Sequence, residues 1–398
     1  MKTLLALIVL LLLALVAGPR SHSRIGRFSQ SFFFVGTEFL IIGWALRALG
    51  ILGEGIWEAL QPLVTLGLSW IGLLLGLQFE LRHLRKIPLA FHVVGLAQGV
   101  LVTVGVSLAF YPLLAQIFGR GIDTQAAALL LGAAAATSSQ DILELALRRR
   151  KRHPHAPVHL YRYAAGLDSM IPVFILALLS GIDREQSLFQ SQTQHWLGAL
   201  GWTGYATGLG IVLGLLAVFL LHRIRDKSRH LLVTIGFLIF SGGLAIALDF
   251  PPLYVSFVAG VVMVNLTGHH SITWEIASAS ERPFYFILLL LVGAAWNMGS
   301  EWALLLGPLF FLARILAKSL SLWLAGRVIF GRNLLDLRSG LALSGQGATA
   351  VALAASIQLI ERGTLADSAL TMILIAVLLS SLFAPGLTAQ GLSRGVRR

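Results

Sequence analysis

Residues 131–145 read LGAAAATSSQDILEL, and residues 339–356 read SGLALSGQGATAVALAAS. Each runs through small and apolar residues and is then interrupted, the first by Thr137, Ser138 and Ser139, the second by Ser344, Gly345, Gln346 and Gly347. Small residues let helices approach closely inside a membrane, so tight packing accounts for either segment alone. The alternative is a helix broken at mid-membrane, which is tolerable only where the unwound backbone is buried or lines a wet cavity. The pairing favours the alternative. Residues 123–147 precede a span with Asp168 at its centre, in YAAGLDSMIPV (163–173), and residues 337–361 follow a span that carries Lys318. Corresponding interrupted segments in two halves of a chain point to a transporter built from inverted repeats, with its site near the midplane. Half-helix ends leave partial charges, positive at N-termini and negative at C-termini. An embedded aspartate and lysine have the signs to offset them. A charge at the bilayer centre costs at least ~2.5–3.5 kcal/mol on insertion scales, so Asp168 and Lys318 call for a purpose.

The surrounding chain agrees with a membrane setting. Of its 398 residues 57% are hydrophobic and only 12% are charged, where a soluble domain is about a quarter charged. About thirteen windows, from 3–18 to 366–392, are apolar enough to span a bilayer. This is an all-α polytopic membrane protein. The absence of cysteine excludes disulfides and thiol chemistry. A net charge of +12 raises the question of a nucleic-acid partner. The basic residues have a better explanation, because most fall in alternate connections, among them Arg82, Arg85 and Lys86, the run Arg148 to Arg152, and Arg223, Arg225, Lys227 and Arg229. The positive-inside rule then gives N-out and C-in, a multi-pass protein of the cell (inner) membrane, and no nucleic acid. Residues 1–18 resemble a cleaved signal peptide; retention as a first helix is the expectation, since cleavage leaves the basic stretch GPRSHSRIGR outside. Arg314 and Lys318 are spaced i, i+4 and share one helix face.

In order and spacing the segments resemble a known family, the monovalent cation/proton antiporters with the sodium/proton-antiporter fold, and within it the thirteen-helix branch. FVGTEFLIIGWALRALGIL resembles its second helix and LGLSWIGLLLGLQFELRHLRK its third. LGAAAATSSQ resembles the first broken helix, AAGLDSMIPV the ion-binding helix, LARILAKSLSLWLAGR the helix with an embedded lysine, SGLALSGQGATAVALAAS the second broken helix, and VLLSSLFAPGL the last. The resemblance implies one transmembrane transporter domain over 1–398, without a soluble domain. It implies core helices over about 90–181 and 302–392, scaffold helices over about 1–78 and 196–298, and a homodimer. It implies Asp168 as the carboxylate that holds cation or proton, and Lys318 as the embedded lysine. Departures are also visible: Leu167 stands where the family has Asp or Asn before the essential aspartate, and the second break reads Gln346, Gly347, Ala348 where an Arg-Gly-Glu-like pattern is usual.

These residues fit secondary active antiport of a monovalent cation, Na+ or K+, against protons, by competition at one carboxylate in an elevator-type cycle. Burial disfavours a charged carboxylate and a neighbouring cation favours it, a balance that lets a proton and a metal ion compete. Thr137, Ser138 and Ser169 are the candidate oxygen ligands beside Asp168. Lys318, Arg314 and Gln346 are the candidates for charge balance at the crossing. With Leu167 before it, one titrating acid implies electroneutral exchange. Glu38 and Asp141 are secondary acids, Glu38 as a second proton site or a helix contact, Asp141 as part of an entrance funnel that pairs with Arg148 or charges the entry. Asp249, before Pro251 and Pro252, reads as a turn. The chain is not an enzyme: no nucleophile set, metal cluster or phosphate loop appears, and no cofactor is implied, the transported ions being cargo. Two other readings stay open: a sodium-coupled organic-anion symporter of related fold, and a membrane scaffold or sensor without transport.

Overall fold

The computed structural model describes residues 36–50, 56–150, 156–185, 192–222, 224, 226–267, 270–279, 281–331, 335–360 and 363–392; residues 1–18 lie outside them, as do His153 and His155, whose HxH spacing reads as a solvated loop because no acidic or cysteine partner surrounds it in the sequence. Every regular element among these residues is helical. In chain order the helices are α1 (Glu38–Ala48), α2 (Ile56–Leu77), α3 (Leu81–Leu84), α4 (Leu89–Phe118), α5 (Ile122–Ala136), α6 (Gln140–Arg150), α7 (Ala156–Leu167) and α8 (Met170–Glu185). They continue as α9 (Gln192–Leu221), α10 (Lys227–Ala247), α11 (Pro252–Leu266), α12 (His270–Ala279), α13 (Glu281–Ala295) and α14 (Glu301–Phe330). A 3₁₀ helix (Leu337–Leu343) precedes α15 (Ala348–Ile360) and α16 (Thr364–Gly391). Eight spans among the described residues are long and apolar enough to cross a membrane, and a bent pair, the 3₁₀ helix with α15, adds a ninth. Two shorter apolar helices, over Pro252–Leu266 and Pro283–Ala295, accompany them.

Contacts divide the chain into two compact units. Among the described residues the first comprises Glu38–Lys86 and Leu176–Trp296. Its helices touch backbone to backbone through small residues: a Cβ on Gly76 of α2 would lie 2.2 Å from the Phe257 carbonyl of α11, and one on Gly43 of α1 would lie 2.1 Å from the Leu290 carbonyl of α13. Without a hydrophobic drive between helices in lipid, such close approach is what holds them together. The turn after α2 is secured by Asn265, which donates to the Phe79 carbonyl at 3.0 Å and accepts from the Leu81 amide at 2.8 Å. Asp249 does form the turn between α10 and α11, at φ 59°.

The second unit comprises Ile87–Ile175 and, from Asn297, the rest of the described chain, together with Gly36 and Thr37. Among the described residues, three segments here that could be single helices are interrupted, each for a readable reason. At Thr137 it turns out to φ −58°, ψ 142° as the hydroxyl bonds back to the Ala134 carbonyl at 2.8 Å, a side-chain competition that ends helices. Ser139 then caps α6, its oxygen accepting from the Ile142 amide at 3.3 Å. The second break, Ser344–Gly347, joins halves bent by 66°. Its first half is a 3₁₀ helix, opened by a reciprocal cap between Asp336 and Ser339. A two-residue turn at Asp168 and Ser169 separates α7 from α8, yet the Asp168 amide still donates to the Ala164 carbonyl at 2.9 Å and Val158–Ile182 runs as one span, in keeping with the apolar window over 158–181. Pro172 has no N–H to offer the carbonyl four residues back and its ring crowds it; that carbonyl belongs to Asp168.

Candidate functional site: the crossing of the broken helices

The two interrupted segments cross within the second unit. The Ser139 amide donates to the Gly345 carbonyl at 2.9 Å, and Gln346 Nε2 donates to the Ala134 carbonyl at 3.1 Å. A Cβ on Gly347 would come within 2.9 Å of Ser139 Oγ, so the start of α15 can meet the start of α6 only because that position has no side chain. Two positive N-terminal helix ends therefore converge at the crossing, and the negative ends of α5 and the 3₁₀ helix lie beside them.

Helix α14 supplies the cations that meet those negative ends. Arg314, fully buried, donates to the carbonyls of Thr137 (2.7 Å), Ser344 (2.5 Å) and Gly345 (2.9 Å), and so ties the two breaks together. One turn later Lys318, also fully buried, donates to the Thr137 carbonyl at 2.7 Å and to Ser138 Oγ. It reaches Asp168 Oδ2 at 3.4 Å. Ser138 Oγ donates to the same carboxylate oxygen at 2.5 Å. Buried charges persist where they are paired or hydrogen-bonded, which these are. The other oxygen of Asp168, Oδ1, is buried and has no hydrogen-bond partner; the same holds for Gln346 Oε1 and Arg314 Nε.

The site thus joins Asp168, Ser138, Lys318, Arg314 and Gln346. Thr137 takes part through its backbone carbonyl, since its hydroxyl is turned to Ala134. Ser169 Oγ lies 3.5 Å from the Ala165 carbonyl, four residues back in α7, rather than on the carboxylate. Asp141 is exposed in the first turn of α6. Its neighbour Glu144 pairs with Arg162 at 2.8 Å. Glu38 begins α1 in the first unit, with one carboxyl oxygen buried and unpartnered. Among the described residues no three His, Cys, Asp or Glu side chains group as a metal site.

Sequence reasoning missed Ser380, whose hydroxyl accepts from the Gln346 amide at 2.7 Å and so fixes the second break. It also missed Gln98 on α4, whose side chain is fully buried with neither polar atom partnered. The signal was present: GLAQG (95–99) places an amide between two glycines four apart, a spacing that brings helices close.

An all-helical bundle of apolar spans, crossed by two discontinuous segments around a buried acid and two buried cations, defines a class, the secondary transporters of ions. The chain belongs to the sodium/hydrogen exchanger family: residues 12–393 match the model described as Na_H_Exchanger, "Sodium/hydrogen exchanger, transmembrane". Among solved structures it is similar to the sodium proton antiporter MjNhaP1 from Methanocaldococcus jannaschii at pH 8, with 14% identity, a TM-score of 0.69 and 100% of each chain covered. At that identity the likeness concerns the fold. No curated protein matches the chain. Family and structural neighbour are secondary transporters, not enzymes, and cation/proton antiport is the activity the family carries.

Proposed function

We propose that Asp168 holds, in turn, a monovalent cation (Na+ or K+) and the proton exchanged for it, one for one, while the second unit moves the loaded site across the cell membrane. The observation that carries this reading is the divided state of the carboxylate. Oδ2 is held by Ser138 and Lys318, whereas Oδ1 is buried without a partner and free to take a hard cation. The charge balance supports a one-for-one exchange. Among the described residues Asp168 is the acid found at the crossing, and Lys318 is its ion-pair partner. A cation arriving at Asp168 is repelled by the Lys318 ammonium, so it binds as a proton leaves the pair. Whether that proton rides on the carboxyl or the ammonium, the two loaded forms carry equal charge. The empty carboxylate, deprived of both, meets the desolvation cost of crossing, which suppresses leak. A homodimer formed by the first unit belongs to the same proposal.

Reconstitution in proteoliposomes tests it. Cation-driven proton movement is expected from the wild type and is expected to fall at least about 100-fold in Asp168→Asn, a loss of ~2.7 kcal/mol in transport-competent binding, with expression retained. Exchange that is the same in Asp168→Asn removes the core of the proposal. Exchange that responds to an imposed membrane potential overturns the one-for-one ratio, and counterflow of a labelled organic acid establishes symport instead.

A further inference from the structure

Helix α4 passes beside the site, and one of its residues has no role so far. Gly99 lies against Asp168: a Cβ there would be 3.6 Å from Asp168 Cβ and 3.7 Å from its Cα. One turn earlier Gly95 lies against Ala164 and Leu167 of α7. The adjoining face of α4 belongs to α14. Phe91 packs edge-on to Phe330 with centroids 6.1 Å apart, Phe110 does the same to Phe310 at 5.6 Å, and Val94 shares a buried cluster with Leu322 and Ala325. Those pairs run antiparallel, so the turn of α4 around residue 98 stands level with Leu322 of α14, one turn along from Lys318. Successive residues of a helix are turned by about 100°. Gln98 follows Val94 by one turn and precedes Gly99 by one residue, and so stands between the face packed on α14 and the face packed on Asp168. Its side chain is fully buried, and neither its amide oxygen nor its amide nitrogen has a partner.

A buried amide left without hydrogen bonds is costly, and a bound ion or water is one of the ways in which such a group is satisfied. Among the described residues of this unit that condition is met by Tyr163 Oη on α7 and by three oxygens of acidic or amide side chains, Asp168 Oδ1, Gln346 Oε1 and Gln98 Oε1. The last three come from three different elements. Monovalent cations are hard and take oxygen ligands, and an amide oxygen offers two lone pairs without adding charge. We propose that Gln98 is a ligand of the transported cation, its Oε1 joining Asp168 Oδ1 around the dehydrated ion and setting which alkali cation the site prefers. This rests on the antiport reading above. It adds coordination without a second titrating group, so the one-for-one exchange is preserved.

The test compares Gln98→Leu and Gln98→Glu with the wild type in proteoliposomes, using Na+, K+ and Li+ across a concentration series. In Gln98→Leu the KM for the preferred cation is expected to rise about tenfold, the effect of losing ~1.4 kcal/mol, and the ratio of KM values among the three cations to change, with kcat reduced by less than about twofold. Gln98→Glu keeps ligand oxygens at that place and is expected to hold KM within about threefold of the wild type. Melting of the purified protein without cation is expected to be equal or higher in Gln98→Leu, because an unpartnered polar group has been removed, while the rise in melting temperature on adding Na+ shrinks. Unchanged KM and selectivity in folded Gln98→Leu overturn the assignment. So does a melting temperature lowered without cation together with equal KM increases in both variants, which marks a packing residue. Failure of the antiport reading itself shows in the wild type and Asp168→Asn, where Gln98 is intact, and this inference then falls with it.

Discussion

The stretches GLLLG (72–76) and GLAQG (95–99) have the same glycine spacing and do different things. In the first unit, Gly72 and Gly76 meet the carbonyls of Leu253 and Phe257, and every residue between them is a buried leucine. The glycines there serve packing alone. In the second unit, Gly95 and Gly99 bring α4 against the helix break that carries Asp168, with a buried glutamine between them. A small-residue motif fixes how near two helices come; what lies between the small residues decides whether the contact is dry or polar. The first unit therefore owes its stability to apolar fit, whereas the second owes its form to buried charges that hold open breaks together.

That contrast can be broken most sharply at Arg314. Its guanidinium serves three carbonyls from two breaks, so Arg314→Gln is expected to destabilise the protein by roughly 3–5 kcal/mol, the range for removing one partner of a buried ionic network. Thermal unfolding in detergent measures it. Lys318→Gln keeps a donor for Thr137 and is expected to cost less stability, while flattening the dependence of exchange on pH. Equal losses of stability in the two variants would make Lys318 a second structural cation.

In the first unit the expected effect is smaller and of another kind. Gly76→Val drives a side chain into the Phe257 carbonyl and is expected to cost about 1–3 kcal/mol, as overpacking does. The cation KM of the folded fraction should stay as it is, because the loss is one of fit. A changed KM in this variant would tie the first unit to ion binding and erase the contrast.

The smallest effect concerns the break at Asp168. Pro172→Ala restores an N–H that can reach the Asp168 carbonyl, so the helix there is expected to straighten and the apparent cation affinity to fall about three- to tenfold, or ~0.7–1.4 kcal/mol, with stability equal or higher. Cation titrations of transport rate measure it. An unaltered affinity would mean that the break owes nothing to the proline.

The same contrast explains what the chain disclosed in advance. The breaks at Thr137–Ser139 and Ser344–Gly347 were legible because hydroxyl, glycine and amide residues interrupt apolar runs, and the embedded Asp168, Arg314 and Lys318 stood out by charge. The partition of labour between the two cations was not, since i, i+4 spacing puts both on one face without saying which carbonyls each will reach. The 3₁₀ form of Leu337–Leu343 depends on its cap and its neighbours rather than on propensity. The turn at Asp168 was not legible, because an apolar run that contains a proline, here Pro172, also reads as a continuous or kinked helix. Gln98 escaped notice because an uncharged amide barely disturbs a hydropathy profile, although burying it without partners is costly.

The proposed exchange turns on one pair, Asp168 with Lys318, that holds a proton or a cation but not both. Its most direct test is the cation KM of reconstituted protein measured across pH. On the acid side, where protons fill the site, KM is expected to rise about tenfold for each pH unit of acidification, ~1.4 kcal/mol per unit, with the maximal rate unchanged at saturating cation. A KM indifferent to pH, with acid lowering only the maximal rate, would place the proton elsewhere and contradict the shared site.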